Sequence, residues 1–274
     1  MPPSEKFLEQ VFDQAILIAL RAGWNITNSY RSFHRHDPTW TSPSHYKTVV
    51  DDMNDRLACT AIRAKFPDHN IWGEESGLLD QGSEYTWIVD GVDGTFCLIW
   101  DFADHTSFCI ALYRDGNPVV GITNAARRGE FYYAEAYTGA FLNGVLLDPS
   151  EITDLAKVSM AVNSGKHHTD RLPPLIQKLN KAGVNCGLGT NCASVPIAMV
   201  ASGVIPAYAA TSLEPEDMAA GVVLNREVGN VVTNLKGEPW TPFVREGGKL
   251  IPTDEGILIA NPILHAKLLE VILN

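Results

Sequence analysis

With 274 residues, 45% of them apolar and 19% charged, the chain is long enough for one large domain or two closely packed ones and too apolar for disorder. A net charge of −11 argues against a nucleic-acid polymer or an anionic membrane surface as partner. A small anionic substrate stays open, because bound divalent cations would invert the local field.

The elements are expected in the following order. Residues 5–22 read as a helix, with Phe7, Leu8, Val11, Phe12, Ala15, Ile16, Ala19 and Leu20 at helical spacing and Gly23 at its C-terminal end. The N-terminus thus opens an amphipathic pattern and not a signal peptide, and no run approaches the roughly 20 apolar residues of a membrane span. Residues 24–45 read as a long polar loop carrying Arg31, His34, Arg35 and His36, either a solvated basic loop or a flap that meets substrate or an extra metal. A second helix is expected over 51–66, a short strand at Ile71-Trp72, and antiparallel strands over 106–114, 118–124 and 130–136, with turns at Asp115-Gly116-Asn117-Pro118 and Asn143-Gly144. Further on, 158–162, 186–188, 231–234 and 257–260 read as strands, and 170–182, 193–202, 215–228 and 262–273 as helices, Pro262 fitting a first turn. Both halves mix strands and helices, which predicts a layered α/β fold with mixed sheets. Residues 148–157 form a weak seam, so the expected division is 1–150, carrying a metal site, and 151–274, closing it as one catalytic unit. Five scattered cysteines (Cys59, Cys97, Cys109, Cys186, Cys192) contain no C-x-x-C pair. Zinc and disulfide readings are therefore weak, and a reducing, cytoplasmic setting is expected.

The chemistry centres on residues 85–95. Tyr85, Trp87, Ile88 and Val89 suit a buried strand, and Asp90 and Asp93 come where it should end. Gly94 permits close backbone approach, and Thr95 can cap a following helix whose free N–H groups would face an anion. Two acids beside an anion cradle suit Mg²⁺ and phosphate. Two further acidic corners, Glu74-Glu75 and Glu216-Asp217, could converge on them. Glu74, Asp90, Asp93 and Asp217 would then hold two or three oxygen-loving ions. Two such ions can clamp a phosphate and activate a water without a covalent nucleophile. No G-x-S-x-G elbow is present to supply a nucleophile, and no P-loop sequence for nucleoside triphosphates.

These motifs resemble the inositol monophosphatase-like superfamily of Mg²⁺-dependent, lithium-sensitive phosphatases. Trp72-Gly73-Glu74-Glu75-Ser76-Gly77 is similar to its G-E-E-S, Asp90-Gly91-Val92-Asp93-Gly94-Thr95 to D-P-[IL]-D-G-T, and Glu216-Asp217-Met218-Ala219-Ala220-Gly221 to W-D-x-A-A-G. Thr48-Val49-Val50-Asp51 matches T-x-x-D, residues 138–144 match the G-A-F-x-N-G hairpin, and residues 227–233 match E-A-G-G-x-V-T. The resemblance implies an αβαβα sandwich, commonly dimeric, that hydrolyses a small phosphorylated metabolite. It implies Glu74, Asp90, Asp93, Asp217 and the Val92 carbonyl as metal ligands, and phosphate held by the N–H groups of Gly94 and Thr95. It also implies Asp51 and Thr95 hydrogen-bonded to each other and orienting the attacking water with Glu74, and Glu75 in a supporting position.

The chain departs from the pattern in several places. Gly91 stands where proline is usual, so the loop is less pre-set. Phe96-Cys97-Leu98 follows Thr95 in place of T-N-F, and Asp101-Phe102-Ala103-Asp104 replaces a G-x-P-x segment. Ala210 falls where an acid lines the sugar or inositol pocket, and Asn191-Cys192-Ala193-Ser194 replaces G-S-A-A. Glu216 replaces Trp and reads as a solvated helix charge, while Cys97 and Cys192 read as small core residues near the site. Inositol or sugar phosphates are the first candidate substrates, with histidinol phosphate and nucleoside 3′,5′-bisphosphates as alternatives. A haloacid-dehalogenase-type phosphatase needs acids two apart, whereas Asp90 and Asp93 are three apart. A diverged, non-catalytic phosphate-binding homologue is the rival from another class.

Overall fold

A computed structural model describes residues 4–32, 38–42, 45–101, 104–164, 169–188, 191–253 and 255–274. In order, the elements are α1 (Glu5–Ser32), β1 (Thr39–Ser42), β2 (His45–Lys47), α2 (Val49–Lys65), β3 (Asn70–Gly73), β4 (Gly77–Leu79), β5 (Tyr85–Asp93) and α3 (Thr95–Trp100). Then come β6 (Ser107–Arg114), β7 (Asn117–Ala125), β8 (Glu130–Glu135), β9 (Gly139–Leu142), β10 (Val145–Leu146), β11 (Ser159–Asn163), α4 (Leu172–Lys181) and β12 (Asn185–Leu188). The last are α5 (Ser194–Ala201), β13 (Ala207–Ala210), α6 (Pro215–Glu227), β14 (Val231–Thr233), β15 (Phe243–Glu246), β16 (Lys249–Pro252), β17 (Ile257–Ala260) and α7 (Pro262–Leu273).

These elements stack as five layers. The first sheet has the order β10-β9-β8-β7-β6-β5-β3-β4, and β5 runs parallel to β3 and antiparallel to β6. On one face Trp87, Val89, Ile110 and Ile122 pack against Val11, Ile18, Ile26 and Ile62 of α1 and α2. On the other face Ile88, Cys109, Ala111 and Tyr113 pack against Ala219, Ala220 and Val223 of α6. The second sheet, β12-β11-β13-β17-β14, lies beyond α5 and α6, with Tyr208 and Ile259 against Ile197 and Val222. Its far face is covered by α4 and α7 through Leu175, Leu264 and Leu268. The result is the αβαβα sandwich, with both sheets mixed.

Two expected boundaries move. α1 does not stop at Gly23 but continues to Ser32. Gly23 has a packing reason: a Cβ there would sit 2.1 Å from Nδ2 of Asn124, which donates to the Ala19 carbonyl at 2.7 Å. The polar run beyond it stays helical because Ile26 is buried in the core and Asn25 against α2, and its hydroxyls bond back onto the helix. Thr27 Oγ1 donates to Gly23 O at 3.0 Å, and Ser29 Oγ to Ile26 O at 2.9 Å. Part of the expected loop is thus helix and part is the β1–β2 hairpin; His34, Arg35 and His36 lie outside the described residues. β5 likewise runs on through the two acids to Asp93, with its ladder interrupted between Asp90 and Asp93. No described helix is long and apolar enough to cross a membrane.

Candidate functional site

Strand alternation aims the first acid. Trp87 and Val89 face α1 and α2, so Ile88 and Asp90 face the opposite side, where α6 begins. Asp217 sits in the first turn of α6, behind Pro215. One carboxylate oxygen from each of Asp90, Asp93 and Asp217 lies within 4.8 Å of the others. Asp90 is buried, its Oδ1 accepts the Val92 N–H at 2.8 Å, and its Oδ2 finds no hydrogen-bond partner among the described residues. Burial first, then the charges of Glu74, Asp93 and Asp217, push the Asp90 carboxyl well above its usual range. Glu74 is exposed and lies outside the tight group, but its charge reaches Asp90. Three carboxylates, two of them buried and one with an oxygen, Asp90 Oδ2, that has no hydrogen-bond partner among the described residues, suit a divalent cation of the Mg²⁺ type and not a soft metal.

Asp93 is held from far along the chain. Its Oδ2 accepts the backbone N–H of Ala193 at 2.9 Å and of Ser194 at 2.7 Å, the hydroxyl of Ser194, and the thiol of Cys192 at 3.1 Å. These donors cluster at the start of α5, where unpaired amides and the helix dipole favour an anion. Cys192 is indeed a small buried residue by the site, and burial raises its thiol pKa well above the usual value. Ser194 also meets Ser107 of β6 at 2.6 Å.

Beside the acids stands a second group. Thr95 Oγ1 donates to Asp51 Oδ1 at 2.8 Å and lies 2.9 Å from the Val92 carbonyl. Asp51 Oδ2 accepts the Thr48 N–H at 2.9 Å and the Thr48 hydroxyl, and the Thr48 hydroxyl accepts the Val50 N–H at 3.2 Å. Thr48-Val49-Val50-Asp51 is therefore also a capping box for α2. Burial pushes the Asp51 carboxyl up to about 6 against those bonds. Thr95 is not the cap of α3 but its first residue. The chain enters that helix through Gly94 at φ +85°, where a Cβ would meet the His105 carbonyl at 2.3 Å. The Thr95 hydroxyl is turned to Asp51 instead.

Two expectations about the walls change or sharpen. Glu216 is not a solvated charge: it is 7% exposed, more enclosed than the half-buried Asp217 beside it. Both sit in the first turn of α6, whose dipole favours them. Asp101 and Asp104, in the segment that departs from the pattern, both pair with Arg127, at 2.9 and 3.0 Å. Lys47 bridges Asp52 at 2.6 Å and Glu75 at 2.7 Å, tying β2 to the corner that carries Glu74. The sequence motifs include Thr48 and Ser194 but assign neither a role in holding the site. The capping-box spacing was a usable signal for Thr48. None existed for Ser194, which reaches Asp93 across 101 positions.

Comparison with known proteins places the chain in a family. The inositol monophosphatase family profile matches residues 8–273. An inositol-1-monophosphatase of Bacillus subtilis is 28% identical over 247 residues, covering 85% of each chain. A protein of Vibrio cholerae named Nus factor SuhB is 26% identical, covering 89% of this chain and 91% of its own. The solved inositol monophosphatase from Anabaena superposes with a TM-score of 0.81 at 25% identity, covering 97% and 96% of the two chains. The chain belongs to the inositol monophosphatase family, a family of phosphoric monoester hydrolases.

Proposed function

We propose that this protein is a Mg²⁺-dependent phosphatase that hydrolyses a small phosphate monoester of the inositol- or sugar-phosphate class. The observation that supports it most is the convergence of Asp90, Asp93 and Asp217 within 4.8 Å, with the Thr95–Asp51 hydrogen bond of 2.8 Å alongside. Glu74, Asp90, Asp93, Asp217 and the Val92 carbonyl are the groups to hold two or three ions. Bound there, Mg²⁺ would polarise the phosphoryl oxygens, acidify a water and stabilise the leaving oxygen.

The chain's own residues do the rest. The Gly94 and Thr95 N–H groups hold the phosphate at the start of α3. Asp51, ionised above about pH 6, fixes the Thr95 hydroxyl through its Oδ1, and Thr95, with Glu74, orients the water that attacks phosphorus as the ester P–O bond breaks. The α5 amides hold Asp93, and through it the second half of the chain completes the site. Residues 1–150 and 151–274 accordingly work as one catalytic unit. The scattered, odd set of cysteines supports a reducing, cytoplasmic setting, and the family resemblance supports a homodimer and lithium inhibition.

Ala210, buried at the end of β13, supplies no acid to a polyol pocket, which keeps histidinol phosphate and nucleoside 3′,5′-bisphosphates in the substrate panel. The test is phosphate release across such a panel with and without Mg²⁺. Mg²⁺-dependent release from one monoester is the expected result. Release from none, with binding of the same compounds intact, would establish the non-catalytic homologue instead.

A further inference from the structure

A buried amide pair joins α1 and α2 to the loop between the two β5 acids. Asn54, in the middle of α2, is fully enclosed. Its Nδ2 donates to the Gly91 carbonyl at 2.9 Å and, more weakly, to the Ala22 carbonyl of α1 at 3.4 Å, and its Oδ1 accepts Nδ2 of Asn25, also on α1, at 2.9 Å. Buried amides in a helix interior are costly unless satisfied at both ends, and here both ends are. Asn54 lies one turn beyond Asp51 on the same helix face. That turn therefore grips the loop twice: Asp51 takes the Thr95 hydroxyl and Asn54 takes the Gly91 carbonyl. Gly91 makes the grip possible, because a Cβ there would lie 2.6 Å from the Asp51 carbonyl oxygen.

The grip falls on the peptide that matters. Holding the Gly91 carbonyl fixes the Gly91–Val92 peptide plane. That plane carries the Val92 N–H, which donates to Asp90 Oδ1 at 2.8 Å, and it leads to the Val92 carbonyl 2.9 Å from Thr95 Oγ1. Glycine at 91 has no ring or side chain to set this plane from within, so the constraint comes from outside.

We propose that Asn54, oriented by Asn25, is a positioning residue for the metal loop: it holds the Gly91–Val92 peptide so that the Asp90 carboxylate and the Val92 carbonyl are presented together to a divalent cation. This rests on the metal-site reading above. Asn25 acts only through Asn54.

The test titrates Mg²⁺ into the full chain and follows both the melting temperature and heat of binding, with no substrate present. Asn54→Leu keeps the branched shape of the side chain and removes its hydrogen bonds to Gly91, Asn25 and Ala22; the Mg²⁺ concentration at half-effect should rise about tenfold or more. Asn25→Leu, remote from the loop and the milder change, should raise it about threefold, which keeps the test alive if Asn54→Leu does not fold. The double variant should be no worse than Asn54→Leu alone. In steady-state assays the Mg²⁺ requirement should rise by the same factors while the substrate KM stays put. A loss of melting temperature in the metal-free protein with the Mg²⁺ midpoint within twofold of wild type would make the pair structural and overturn the inference, as would additive effects of the two substitutions. Wild type that takes up no Mg²⁺ would overturn the metal-site reading itself; wild type that does, with both variants unchanged, overturns this inference alone.

Discussion

Where β5 runs into α3, the groups that face the site are neighbours in sequence: Asp90, Val92, Asp93, Gly94 and Thr95 come within six positions of one another, fixed by strand pleat, one interrupted ladder and the turn at Gly94. The groups that meet them from the helical layer between the two sheets are scattered. Ala193 and Ser194 open α5, Asp217 opens α6, and a packed layer joins the two helices, Asn225 Nδ2 donating to the Ile197 carbonyl at 2.9 Å. One region concentrates its chemistry in a motif; the other delivers it through helix N-termini. If this division of labour holds, damage to the motif should stop the reaction, while damage to the helix starts should be partial, because backbone amides survive side-chain substitution.

The largest effect is expected at Asp93. Asp93→Asn keeps the shape but removes a charge from three clustered carboxylates. Steady-state kinetics at saturating Mg²⁺ should show a loss of about 10³-fold or more in kcat/KM, roughly 4 kcal/mol of barrier. Turnover near wild type would remove Asp93 from the proposed ligands and with it most of the contrast between the regions.

The same contrast explains what the sequence disclosed. The acids of β5, and the long antiparallel strands around them, were readable because motif and alternation are local signals. Ala207–Ala210, the middle strand of the second sheet, was not: Ala-Tyr-Ala-Ala has no β-branched residue, and its strand state comes from pairing with β11 and β17. The hairpin of β15 and β16 was passed over too, although Gly247-Gly248 supplies its turn. Gly23 misled because a glycine late in an amphipathic run normally ends a helix, whereas here it admits Asn124 from a strand 101 positions away. Glu216 was assigned to solvent because nothing in its neighbours says that α6 begins inside the molecule. The hairpin apart, whose signal is local, each miss is a long-range contact overriding a local preference.

Asp51 belongs to the motif side without lying in the motif, and pH separates its two effects. Its folded-state carboxyl is raised from 3.8 to about 6, chiefly by burial. A raised pKa means the folded state holds the proton more tightly than the unfolded chain. The stability this contributes is complete below about pH 4 and is lost as pH rises through 6, about 3 kcal/mol in all. Asp51→Asn should flatten that part of the stability–pH curve in denaturant titrations between pH 4 and 7. Its rate should fall at every pH, since Asn cannot accept from both Thr48 groups and Thr95 as a carboxylate does. An unchanged curve would place the Asp51 titration elsewhere.

Metal addition tests both regions together. At 100 times its dissociation constant, Mg²⁺ should stabilise the fold by about 2.7 kcal/mol, a rise of about 5 °C in melting temperature that a chelator reverses. Asp217→Asn, on the α6 side, should shrink that rise even though α6 itself stays folded. A full rise in the variant would mean that the second sheet's side contributes no ligand.

The smallest effect is expected at Ser194. Ser194→Ala removes one hydroxyl donor to Asp93 and the 2.6 Å contact with Ser107, but leaves the Ala193 and Ser194 N–H groups in place. One lost hydrogen bond of this kind costs about 1–2 kcal/mol, so kcat/KM should drop about five- to thirtyfold, far short of Asp93→Asn. If Asp93 were held chiefly by the hydroxyl, the loss would approach that of Asp93→Asn, and α5 would be contributing a side chain in place of its dipole. Comparing the two variants in one assay therefore measures how much of the second region's contribution is backbone, which is the part Asn191 to Ser194 can supply although their side chains depart from the family pattern.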